Sequence, residues 1–287
     1  MKSSLLAAVS IFSFISTLSY AQNEDASQLP TEQELIERQT EFGARRVREN
    51  MNQWGLFDIF KPRNQCKYAI QVPDSVTRGT IALTFDDGPN AVTTPKILDV
   101  LKAHNAKATF FVLGGKIKGH EALLQRILDE GHHLGNHSYS HPNFHDLSSA
   151  KTESEVESTD KLLRQFNVPT FFRYPYGNST CNANDLISSL GYHIVGWDID
   201  TCDWAYADGK VSDKENQTCM APESLRNDYA GYVLREVQKT QGGVLLMHDI
   251  HQNTADSLDR LLTLLEDANY RFVSLDDLNI FPRLNKK

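Results

Sequence analysis

The chain has 287 residues, with 29 basic against 37 acidic side chains and a formal net charge of −8. That balance excludes a nucleic acid partner, because neutralising a phosphate backbone needs clustered Lys and Arg. The length suffices for one large domain with a substantial core.

The first 21 residues read as a secretory signal peptide. Lys2 supplies the positive charge, 5–18 is a short apolar run, and Ser19-Tyr20-Ala21 places small residues before a cut at Gln22. The run is short for a membrane span and lacks a basic stop-transfer flank, and no later stretch reaches the required length. The expectation is an exported protein, periplasmic or secreted, with no stable membrane span after cleavage. Removing Lys2 leaves 28 basic and 37 acidic residues, a net −9, which suits a neutral substrate or a cationic product that must leave.

Residues 22–78 read as an amino-terminal extension, partly helical. Thr31-Glu32-Gln33-Glu34 fits a capping box. Ile36, Val47, Met51 and Trp54 then fall near one helical face, as expected of a helix packed on the main domain.

From Gly79 to the end the chain alternates between strand-like and helix-like segments. Strands are expected at 80–85, 108–113, near 136, 171–173, 192–197, 243–248 and 270–274. Helices are expected at 94–104, 120–130, 149–166, 185–190 and 223–239, and on the Leu258, Leu261, Leu262, Leu265 face. Such alternation implies a parallel sheet. Short, buried-looking strands favour a distorted (β/α)7-type barrel, closed or nearly so. Residues 203–218 form a polar insertion, expected as a loop. Four cysteines in an exported chain suggest two disulfides, with three possible pairings. Cys202–Cys219 is favoured because it staples the insertion, leaving Cys66–Cys181.

Active sites of such barrels form on loops after the carboxyl ends of strands. Five polar clusters fall there: Asp86-Asp87-Gly88-Pro89, His137-Ser138-Tyr139-Ser140-His141, Arg173-Tyr174-Pro175-Tyr176-Gly177, 200–204, and His248-Asp249. Each is bland alone, and Asp-Gly-Pro is ordinary turn chemistry. Together they describe a site. His137 and His141 are four apart, so in a helical turn both rings point the same way. Zinc takes two histidine nitrogens and one carboxylate oxygen and keeps a position open for water. One aspartate of the pair can be that ligand and the other a general base. His248 can protonate a leaving amine, with Asp203 orienting it. Arg173 can pair with the base aspartate. The backbone after Pro175 can donate to an oxyanion.

From about 80 to 279 these clusters resemble the five motifs, in order, of the polysaccharide deacetylase family, carbohydrate esterase family 4 (the NodB homology domain). They read Thr84-Phe85-Asp86-Asp87-Gly88-Pro89, His137-Ser138-Tyr139-Ser140-His141, Arg173-Tyr174-Pro175-Tyr176, Asp200-Thr201-Cys202-Asp203-Trp204 and Leu246-Met247-His248-Asp249. The resemblance implies a distorted barrel and removal of acetyl groups from N-acetylglucosamine units of a glycan, with release of acetate. It implies Asp86 as base and Asp87, His137 and His141 as ligands of Zn2+, with Co2+ as a substitute. It implies His248 as acid backed by Asp203, Arg173 against Asp86, the Tyr176 amide as oxyanion donor, and Trp204 and Leu246 around the acetyl methyl. His132, His133, His145 and His251 read as structural or surface residues, because the ligand set is already complete. The glycan is the expected partner and a monomer the expected state. Two other readings stay open: an O-acetyl esterase, and a non-catalytic glycan-binding protein. A glycosidase fits poorly, since two flanking carboxylates suffice there without a metal.

Overall fold

A computed structural model describes residues 70–71, 78–166, 171–281 and 284. The signal peptide, nearly all of the 22–78 extension, and Cys66 with its expected partnership to Cys181 lie outside the described residues.

Among the described residues, nine strands make one sheet: β1 Ile70–Gln71, β2 Thr80–Asp86, β3 Ala108–Val112, β4 His133–Asn136, β5 Phe171–Phe172, β6 His193–Val195, β7 Ile199–Asp200, β8 Gly243–His248 and β9 Arg271–Phe272. Their order is β1-β6-β5-β4-β3-β2-β8-β7, with β9 beside the start of β2. Every pairing is parallel, as expected. The helices are α1 Thr93–Ala103, α2 Glu121–Asp129, α3 Ser149–Leu163, α4 Cys181–Ser189, α5 Asn216–Cys219, α6 Tyr229–Thr240 and α7 Gln252–Asp267. Among the described residues, no helix is long and apolar enough to cross a membrane.

Seven of these strands match the expected ones. β1 and β7 are additional, and each is two residues long, too short for alternation to show in a sequence. β7 proves that the sheet curls. Only Gly196, Trp197 and Asp198 separate β6 from β7, yet the two strands are six steps apart in the sheet. Laid flat, six steps would span about 29 Å at the usual strand spacing. The four Cα steps from Val195 to Ile199 reach at most about 14 Å. The sheet must bend round until β6 and β7 nearly meet, which gives the distorted barrel. Asp200 thus lies within β7, beside β8, rather than on a loop after β6.

Alternation along the strands sorts two environments. Ile81, Leu83 and Phe85 of β2, Phe110 and Val112 of β3, and Leu245 and Met247 of β8 pack outward under the helices, joined by Ile97, Leu101, Leu258 and Leu262. Ala82, Phe111, Phe171, Val195 and Val244 point inward and meet Leu275, Phe281 and Leu284 from the carboxyl-terminal segment. Those three residues plug the end of the barrel away from the polar clusters. On the same inward face, one layer higher, the residues turn polar: Thr84, Asp86, Arg173 and His248.

Replacing Phe281, which is 1% exposed, by Ala should leave a cavity in this plug. The expected loss is about 3–5 kcal/mol of unfolding free energy, read from the urea midpoint. Residues at the opposite end should keep their geometry.

Candidate active site

β2 ends in Asp86 and β8 in His248, and the two are register partners. Neighbouring strands run about 4.8 Å apart, so the backbone alone brings an acid and a base side by side. Beyond Asp86 the chain turns sharply: Asp87 has φ 75°, and its amide donates to the Phe111 carbonyl. Gly88 has a packing reason to be glycine, because a Cβ there would overlap the buried Asp249 carboxylate. The Asp249 carboxylate accepts from Thr94 of α1, and burial, with the Asp87 charge nearby, pushes its pKa up to about 7 against the effect of that hydrogen bond.

Arg173 crosses the barrel interior and is 1% exposed. Its Nη1 donates to Asp86 Oδ1 at 2.8 Å and to Thr84 Oγ1 at 2.7 Å. Its Nε reaches the Val195 carbonyl at 3.2 Å and Nη2 the Gly196 carbonyl at 2.8 Å. The guanidinium lies 4.2 Å from the Phe111 ring centroid, and Gly135 makes room for that ring, which a Cβ there would overlap. Burial works to lower the arginine pKa, and the Asp86 charge and hydrogen bond oppose it.

His137 and His141 converge on Asp87. Nε2 of each lies 3.4 and 3.3 Å, respectively, from Asp87 Oδ1. The helical turn expected between them is absent. The loop instead places Ser138 (φ 71°) and His141 (φ 62°) in the left-handed region, and this is what brings the rings together. The His137 Nδ1–H donates to the Arg173 carbonyl at 2.8 Å, which leaves its Nε2 lone pair aimed at Asp87. Burial raises the Asp87 pKa, but the surrounding imidazoles of His137, His248 and His141 outweigh it and hold the carboxyl far below the usual carboxylate range.

These three residues fit a divalent cation. Their ligand atoms lie within 4.8 Å of one another, and Asp87 Oδ1 is buried without a hydrogen-bond partner. Tetrahedral ligands on bonds of about 2.1 Å stand about 3.4 Å apart, close to the two separations observed. The donor set of two imidazoles and one carboxylate suits zinc.

Facing them is a second unit. Asp203 is fully buried and accepts four hydrogen bonds: from His248 Nδ1 at 2.8 Å, His248 N at 2.6 Å, Thr254 Oγ1 at 2.9 Å and Trp204 N at 2.9 Å. Those donors occupy all its lone pairs. Burial opposes a charged His248, but the charge and hydrogen bond of Asp203, helped by Asp87 and Asp86, raise its pKa to about 10. With Nδ1 committed to Asp203, Nε2 is the ring nitrogen left to exchange a proton. The loop bearing Asp203 is stapled by Cys202–Cys219, as expected, with a Cα separation of 6.0 Å.

The remaining expected residues fall into place unevenly. Tyr176 has φ 57° and packs its ring against His141 in a T-shaped contact, with centroids 4.6 Å apart. Leu246 points inward one residue pair below His248, and Trp204 packs partly buried on the outer core. The extra histidines stand apart from the ligands. His132 is a core residue, pushed down to about 4 by burial and Lys107. His133 pairs with Asp276 and His145 with the Ser179 carbonyl, while His251 rests against the His248 ring at 5.7 Å. Thr254, Lys116, whose Nζ donates to the Asp87 carbonyl at 2.8 Å, and Glu155 also contact these residues or the loop between them. Only their folded positions reveal this, since each sits in an ordinary helical or polar stretch.

Exchanging Arg173 for Met should strand the buried Asp86 carboxylate and cost about 3–5 kcal/mol. Combining it with Asp86→Asn should cost less than the sum of the two single changes. Additive losses in chemical denaturation would contradict the ion pair.

The polysaccharide deacetylase family model matches residues 74–195. The chain is 39% identical over 212 residues to a peptidoglycan-N-acetylglucosamine deacetylase of Listeria monocytogenes, covering 72% of this chain and 40% of the relative. It thus spans about two fifths of that protein's length. It is 36% identical over 214 residues to the corresponding enzyme of Bacillus cereus, covering 74% of this chain and 72% of the relative. Among solved structures, the Bc1960 peptidoglycan N-acetylglucosamine deacetylase superposes with a TM-score of 0.59 at 34% identity, covering 72% of this chain and 90% of the other. On this similarity, and with the motifs folded into one site, the chain belongs to the polysaccharide deacetylase family.

Proposed function

We propose that this chain hydrolyses the N-acetyl amide of N-acetylglucosamine units in an exported glycan, giving acetate and a free amine. The supporting observation is the pairing, in register, of Asp86 with His248 beside a cation-ready triad. Relatives named as peptidoglycan deacetylases point to the same substrate class. The amino-terminal segment supports export, since it reads as a secretory signal.

Asp87, His137 and His141 would hold the ion. Zinc bound there would polarise the acetyl carbonyl and acidify the attacking water. The residues around it divide the proton work. Asp86 has Oδ1 tied to Arg173 and offers Oδ2 to take the proton from water as it adds to the carbonyl carbon. The Tyr176 amide donates to the oxyanion that develops. His248 then gives its Nε2 proton to the leaving nitrogen as the carbon–nitrogen bond breaks. Leu246, facing inward below His248, borders the acetyl methyl. An ester's leaving oxygen demands less of an acid, so the strongly supported His248 imidazolium favours an amide substrate.

Zinc-loaded protein should release acetate from acetylated chitooligosaccharides or peptidoglycan, and a chelator should abolish the release. The Asp86→Asn variant should fold and bind metal, yet turn over at least about a hundredfold more slowly. An unchanged rate would remove Asp86 from the mechanism.

His248 must be protonated to act, so activity should persist on the alkaline side and fall as His248 deprotonates. Asp203 raises that pKa. Asp203→Asn should therefore move the alkaline limb of kcat/KM to lower pH, by about one to three units. A limb that stays in place would mean another group sets it.

A further inference from the structure

The loop between His137 and His141 is an unusual one to hold still. Two of its non-glycine residues, Ser138 and His141, adopt left-handed backbone conformations, which persist only where the surroundings over-determine them. One side is fixed through carbonyls: the Gly114 amide donates to Ser138 O at 3.0 Å and the Gly115 amide to Tyr139 O at 2.9 Å. Its start is fixed by Asn136 Oδ1, which accepts from the Ser138 amide at 2.9 Å, and its end by Ser138 Oγ, which accepts from the His141 amide at 3.1 Å.

Two amides remain, those of Tyr139 and Ser140, and both turn toward α3. They converge on a single oxygen, Glu155 Oε2, at 2.9 and 2.8 Å. The Ser140 hydroxyl donates to the other oxygen, Oε1, at 2.6 Å. Successive amides aimed at one point form a concavity that prefers an anion, and a carboxylate there makes charge-assisted hydrogen bonds. α3 is itself firmly seated. Val156 and Thr159 are fully buried, Asn136 Nδ2 donates to the Val156 carbonyl at 3.1 Å, and Gly114 packs so closely on Thr159 that a Cβ would overlap it.

We propose that Glu155 is a positioning residue for the divalent cation. It sets the spacing of the His137 and His141 nitrogens before the ion arrives, so that binding need not order the loop. This rests on reading Asp87, His137 and His141 as the cation ligands, and it concerns cation affinity rather than the reaction.

The test uses the full chain and zinc as the probe, with competition against a chromogenic chelator and with thermal unfolding of the metal-free protein. Glu155→Ala should weaken zinc binding about 10- to 100-fold, the range known for residues that support ligands from behind. Its metal-free melting temperature should stay within about 4 °C of the unaltered protein. Glu155→Gln keeps an acceptor oxygen in the same place and should recover part of the affinity; it also serves if the alanine variant fails to fold. Glu153→Ala, which removes an equal charge from an exposed position on α3, should bind zinc normally. Zinc affinity within twofold of the unaltered protein in both Glu155 variants would overturn the proposal, as would an equal loss in Glu153→Ala. No zinc binding by the unaltered protein would overturn both the proposal and the ligand set beneath it. Tight zinc binding that depends on Glu155, without acetate release, would sustain the proposal and remove only the deacetylase reading.

Discussion

The structure depends on a charged arginine lying inside a barrel. Arg173 is out of contact with water, and a guanidinium cannot shed its proton to escape that cost. Its position is tolerable because Asp86, Thr84 and two backbone carbonyls meet four of its donors and Phe111 supports its face. Its own carbonyl orients His137. One residue therefore fixes Asp86, the tautomer of His137 and the junction between β5 and β6. Removing Arg173 would disturb all three together, which ties the integrity of the site to that of the fold.

The two halves of the site solve opposite electrostatic problems. Around Asp87, imidazoles and a carboxylate are gathered without direct hydrogen bonds between them, leaving Asp87 Oδ1 unpartnered. That is costly for a bare protein and well suited to a cation. Around Asp203, every lone pair is satisfied by groups from three elements, including Thr254 of α7. That carboxylate is locked as an anion and keeps its neighbour His248 protonated. A ligand set left open and a proton donor held closed are what hydrolysis of an amide requires.

Much of this was legible along the chain because the chemistry is written in short contiguous motifs at strand ends. Asp86-Asp87, His137 with His141, Arg173 and His248 could all be picked out, and seven strands could be placed by their apolar character. Two kinds of feature were not legible. The His137–His141 spacing suggested a helical turn, whereas long-range hydrogen bonds from Asn136, Gly114, Gly115 and Glu155 impose a left-handed loop. β7 is too short to show a pattern, and its place beside β8 follows only from the curl of the whole sheet.

The parallel architecture, the family and the candidate site residues could be read along the chain, because each is encoded in local periodicity or adjacent residues. Tertiary structure alone decided how those side chains face one another. Asp86 meets His248 through strand register, Asp203 reaches His248 because the curl of the sheet sets β7 beside β8, and Glu155 reaches the ligand loop from a helix. Such contacts join residues 15 or more positions apart, and no local pattern encodes a distance that only the curled sheet sets.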